Sequence, residues 1–232
     1  MNKQALAIPQ KLSRILGTEM DRLLLLSMLF SCLLVAARLI HTERLTFIFL
    51  IWNLFLAYVP YFISTSLTRR AERGAGRGLA WWTLSFFWLL FIPNSFYIIT
   101  DLYHLGDLYN DRQMPQWFDL AMILSFVWNG LLLGVLSVRQ MERIILPRQT
   151  LTTELLFLYP VMWLSALGVY IGRYLRFNSW DIVTDPFRLL RDIAMMVIHP
   201  LRHQNTWDMV FCFSILMTLI YLMMKRISKA LT

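Results

Sequence analysis

Six long apolar stretches separated by short charged segments set the pattern of this chain. Residues 23–37, 45–68, 78–100, 120–138, 155–172 and 209–224 contain no Asp, Glu, Lys or Arg. A bilayer's hydrocarbon core is about 30 Å thick and a helix rises about 1.5 Å per residue, so about 20 apolar residues span it. Each run reaches that length once a terminal charge such as Arg38 or Asp208 snorkels to the interface. The expected fold class is all-α, a polytopic transmembrane helix bundle of about six spans. These lie near 23–40, 45–64, 79–100, 118–138, 154–174 and 207–224, in one integral membrane domain over 1–232. Apolar runs in soluble proteins are usually 10–14 residues of buried core helix, and six longer runs leave too little polar surface for that alternative. The first run ends in VAARLI, without a small-x-small cleavage site, so it is expected to be retained as the first span.

Composition agrees: 58% of the 232 residues are hydrophobic and 16% charged, far from the balance of a water-soluble domain. The net charge of +8 does not argue for nucleic acid, because the basic residues flank the spans and serve topology instead. With six spans, fourteen of the 22 Lys and Arg fall on the side of the termini and of the RRAERGAGR and RQMERIILPR segments, and eight on the other. That asymmetry predicts cytoplasmic termini. Nine of the fourteen acidic residues and all four histidines then lie on the outer side, so the bundle is expected to be polar at that end only. Cys32 and Cys212 fall inside spans and are expected to be apolar packing residues.

Within 174–206 a short outer helix is expected. Asp185-Pro186 reads as N-cap and first turn, Leu190, Ile193, Met196 and Val197 recur on one face, and His199-Pro200 ends it. With Arg188, Arg191 and Asp192 opposite, the helix suits either the membrane interface or a packed extramembrane position. Gly130 with Gly134 and Gly168 with Gly172 are small-xxx-small pairs that let helices approach, within the bundle or at a homodimer seam.

Candidate chemistry clusters at the outer end. In the third span Pro93 is expected to kink the helix. Asn94, Tyr97, Asp101 and His104 then recur so that, in a continuous helix, they share a stripe about 80° wide. Asp101 and His104 are the candidate acid–base pair; in a structural reading they mark the helix end. Arg173 and Arg176 run against the positive-inside trend and call for acidic partners or an anionic group. Asp101, Asp119 and Asp181 are the nearest acids in topology, and with Asn178 they complete a candidate binding set. Asn129, near mid-membrane, suits a hydrogen bond between helices, and Trp117 and Trp180 suit the aromatic belt. The Asp and His spacings match no closed zinc signature, and His199 and His203 are interrupted by Pro200, so no metal is assigned. No G-x-S-x-G, P-loop or dinucleotide-binding glycine pattern is present, and the cofactor is unknown.

The segments LFIPNSFYIITDLYHL, PQWFDLAMILSFVWNGLLLGVLS and LGVYIGRYLRFNSWDIVTDP, in this order, resemble the bacterial multi-pass membrane family catalogued as domain of unknown function 1361. The resemblance covers most of 45–224 and implies a bacterial inner membrane without assigning a reaction. It points to the same outer-face set: Asn94, Tyr97, Asp101, His104, Asp119, Arg173, Arg176, Asn178, Trp180 and Asp181. Three functions remain open on sequence: an accessory or structural membrane component in contact with the bilayer and a membrane-protein partner or second copy; a membrane enzyme acting on lipid-linked or envelope substrate; and a small transporter. The last is the hardest to draw, because the inner halves of the spans show few polar residues to continue a route.

Overall fold

A computed structural model describes residues 19–74, 76–107, 114–146, 150–177 and 186–230. Helix α1 is Glu19–Thr42, α2 Phe49–Glu72 and α3 Leu79–Tyr97; α3 continues as a 3₁₀ segment Ile98–Tyr103 and a short turn α4, His104–Asp107. Then follow α5 (Gln116–Ile145), α6 (Leu151–Arg173), α7 (Pro186–Ile198), a 3₁₀ turn Pro200–His203 and α8 (Gln204–Ala230). No strand occurs among the described residues. Six of the helical segments are long and apolar enough to cross a membrane, and they form the all-α polytopic bundle expected from the run lengths.

Helix α5 is the axis of this bundle. In it 61% of the most apolar stretch is buried, against 22–33% in the other five spans, and the two apolar cores meet on it. Leu24, Leu50, Leu54, Met122 and Phe126 join α1 and α2 to one side, and Trp88, Val138, Met162 and Tyr221 join α3, α6 and α8 to the other. The outer faces of the remaining spans stay apolar and exposed, as at Leu29, Phe62, Phe86 and Leu156, which suits lipid rather than water. Cys32 is partly covered, whereas Cys212 is exposed on the outer surface of α8; its expected packing role is corrected to a lipid-facing one.

Both glycine pairs serve this packing. A Cβ at Gly130 would lie 2.2 Å from Ile98 Cγ2, and one at Gly134 3.0 Å from the Phe96 ring. On α6, a Cβ at Gly168 would lie 2.6 Å from Pro93, and one at Gly172 3.1 Å from the Tyr97 ring. Helix α3 is therefore gripped from two sides within one chain, and its α-helical run continues through Pro93. Polar side chains bind helix carbonyls across the contacts, Ser95 Oγ to Ala57 O and Ser137 Oγ to Pro60 O, both at 2.9 Å. Such hydroxyls satisfy backbone near prolines where no water reaches.

Helix α7 departs from the single apolar face expected of it. Leu189 and Met196 are buried, while Leu190, at 62% exposure, and Val197, at 60%, point away from the bundle with Phe187 and Ile198. The helix is thus apolar on two sides, one packed and one free. The Asp185 cap lies outside the described residues.

The glycine contacts give a direct test. Gly130→Ala should cost about 1–3 kcal/mol by overpacking and lower the thermal unfolding midpoint of the detergent-purified protein, whereas Gly106→Ala, which meets nothing within 4 Å, should leave it unchanged.

Candidate functional site

At the end of the bundle that holds Asp101, three helices and the 3₁₀ segment converge. Asp101 is only 1% exposed, which corrects its reading as a solvated helix end. Its Oδ2 accepts a 2.9 Å hydrogen bond from Asn53 Nδ2 of α2, and its buried Oδ1 has no hydrogen-bond partner within the described residues. His104 lies against Phe49, ring centroids 4.9 Å apart, and its Nε2 is 3.3 Å from Arg173 Nη1. The Arg173 guanidinium also lies 5.2 Å from the centre of the Tyr103 ring. Just beyond α6, a hydrogen bond with Tyr103, helped by partial burial, raises the pKa of the Tyr174 hydroxyl.

The expected stripe is divided. Because the α-helix gives way to 3₁₀ geometry after Tyr97, residues 98–101 turn by about 120° each instead of 100°, an excess of about 80° by Asp101. Asn94 and Tyr97 line a cavity of about 350 Å³, between α2, α3 and α6 with α7 beside it, whose walls include neither Asp101, His104 nor Arg173. The remaining walls are chiefly apolar, among them Trp52, Leu90, Leu167 and Phe177, with Asn53 as a further polar group. Within α3, Asn94 Nδ2 donates to Phe91 O at 3.0 Å.

Asp119 joins neither Arg173 nor Arg176. Its Oδ1 is 2.7 Å from Arg38 Nε, and Arg38, only 1% exposed, stacks its guanidinium 4.4 Å from the Phe47 ring centre. Arg38 therefore turns inward and does not snorkel. A carboxylate in the first turn of α5 and a guanidinium in the last third of α1 neutralise one another, and removing either leaves a buried charge. Arg176 is exposed, with its backbone in the left-handed region at φ 58°. Asn178, Trp180 and Asp181 lie outside the described residues. Asn129 donates to Ser31 Oγ of α1 at 3.0 Å, the interhelical bond its depth suggested.

The opposite end corrects the expectation of a bundle polar at one end only. There Lys225 Nζ of α8 lies 2.6 and 2.8 Å from the Glu142 carboxylate of α5 and 2.9 Å from Glu154 Oε1 of α6. All three are buried. Tyr221 donates to Glu142, and the more exposed Arg226 reaches Glu154 at 3.2 Å. Between the ends, Ser64, Ser137, Gln140, Thr65 and the Trp88 indole form a hydrogen-bonded set, so the spans hold more polar groups in this half than a scan for charged residues finds. Sequence reasoning missed Asn53, an amide within the second span, and missed the burial of Arg38, Glu142, Glu154 and Lys225, because these four stand near span ends, where a charged side chain normally meets water. Among the described residues no three His, Cys, Asp or Glu side chains gather as a metal site.

Breaking a buried pair costs about 3–5 kcal/mol when one charge is left behind, while removing both is far milder. Asp119→Leu and Arg38→Leu should each sharply lower the unfolding midpoint in detergent, and the double variant should recover most of the loss in a double-mutant cycle. Lys225→Met should act like the single variants, whereas Arg226→Ala, with its side chain half exposed, should shift the midpoint little.

Comparison with known proteins finds no match among curated proteins or solved structures. A family model matches residues 52–220, from the start of α2 to well inside α8. The chain therefore belongs to the family described as protein of unknown function, DUF1361.

Proposed function

We propose that this chain is a non-catalytic, accessory component of the bacterial inner membrane, with both termini in the cytoplasm and its charged residues serving to lock the bundle. The observation that carries this reading is that charges close on each other: Arg38 on Asp119, and Lys225 on Glu142 and Glu154. A site for acid–base chemistry needs its groups within hydrogen-bond reach of a substrate. Asp101 and His104 instead face Asn53, Phe49 and Arg173, and neither lines the neighbouring cavity, which Asp101 adjoins through Asn53. The enzyme alternative would require Asn53, Asn94 and Tyr97, none of them an acid or base suited to proton transfer at neutral pH, to supply the polar contacts there. A transporter would require a water path, whereas Ser64, Ser137 and Trp88 at the centre of the polar set are buried and only Thr65 and Gln140 are partly exposed. With both glycine pairs occupied by α3, a membrane partner or second copy would have to use the outer apolar faces. Orientation rests on the excess of Lys and Arg beside the termini.

In cells that depend on this protein, Asp101→Ala and Arg173→Ala should reduce its membrane abundance and its phenotype in proportion. Wild-type abundance of both variants together with complete loss of phenotype would overturn the structural role. For orientation, fluorescent protein fused after Ser228 should fluoresce and alkaline phosphatase fused there should be inactive; the reverse pattern would invert the topology.

A further inference from the structure

We propose that the groove between α2, α3 and α6 holds one acyl chain of an anionic membrane phospholipid, with the headgroup at the Asp101 end. The groove follows α3 from Phe86 to Tyr97, eleven residues and so about 16 Å. Half of a hydrocarbon core of about 30 Å is about 15 Å, so the groove has the depth of one leaflet. Its polarity is graded in the same sense as an amphiphile. Phe86, Leu90, Leu164 and Leu167 line its length, and the polar Asn53, Asn94 and Tyr97 stand towards one end.

The groove opens sideways to the bilayer, since the lining residues Trp52, Phe86 and Leu164 are exposed on the lipid-facing surface. Its floor exists because Gly168 and Gly172 offer no side chain and let α3 pack directly on α6. Near its polar end lies α7, which contributes Leu189 and Ile193 to the wall and turns Phe187, Leu190 and Val197 outward. An amphipathic helix with a free apolar face of this kind rests at the headgroup boundary, which sets the depth of that end. Arg188 over the Phe177 ring, 5.3 Å from its centre, and Arg173 over the Tyr103 ring place two guanidinium groups beside this end, against the single buried carboxylate of Asp101 there. Guanidinium groups favour a phosphate there.

This site is independent of the structural role proposed for the charges, and its test reads lipid occupancy rather than abundance.

The test uses the full chain purified in detergent and titrated with palmitoyl-oleoyl phosphatidylglycerol under native mass spectrometry. Wild-type protein should retain one lipid. Leu89→Trp and Leu164→Trp, which fill the groove from partly exposed positions, should weaken retention about tenfold by displacing apolar chain contacts. Leu156→Trp, on the exposed face of α6 outside the groove, should not. No retained lipid, or equal retention in all three variants, would overturn the proposal. Should the groove variants fail to fold, wild-type protein in vesicles containing phosphatidylglycerol with a diazirine in its acyl chain decides the matter. Crosslinks concentrated on the groove faces of α3 and α6 support the site, and crosslinks spread evenly over the outer faces of all six spans refute it.

Discussion

The pairing of Arg38 with Asp119 shows the constraint that the rest of the structure obeys. Inside a bilayer a charge has no water to turn to, so it must find its opposite within the chain. Arg38 belongs to α1, which otherwise meets the bundle through apolar residues such as Leu24 and Val35 and through hydrogen bonds of Ser31 with Asn129 and of Asp21 with Tyr61, and Asp119 opens α5, the central helix. One ion pair thus fixes the depth and rotation of the most peripheral span against the most buried one. At the opposite end, Lys225 performs the same service for α8 against α5 and α6. Between these two points, packing is left to small residues and hydroxyls.

That division explains the position of α3. It is held by shape and not by charge: Gly130 and Gly134 receive it from one side, Gly168 and Gly172 from the other, and Ser95 ties it to α2. Where side chains on α6 are absent, α3 comes close; where α2 and α6 diverge, the groove remains. Gly168 and Gly172, which bring α3 close to α6, therefore also line the groove.

The six spans were legible because span length is dictated by bilayer thickness, a property of the solvent and not of this fold. The pairing of helices was not legible, since period and hydropathy do not say which apolar face meets which. Arg38 illustrates the difficulty: its position near the end of a run fits snorkelling as well as burial, and only the nearness of Asp119 decides. Asn94 and Tyr97 line the groove, but the change from α to 3₁₀ geometry after Tyr97 turns Asp101 and His104 away from them. A transition of that kind leaves no mark in residue spacing. Glu142 and Glu154 were hidden for the opposite reason, because a carboxylate beside a basic loop reads as solvated until the partner helix is known.

Chains are synthesised from the N-terminus, so α5 and α6 are made before α8. Until Lys225 arrives, Glu142 and Glu154 face each other across a helix contact with no cation between them, and two like charges in an apolar setting repel. The α5–α6 hairpin is consequently an incomplete unit, and insertion of the last span is the event that closes the bundle. A chain ending before α8 would carry Glu142 and Glu154 without the Lys225 that joins them.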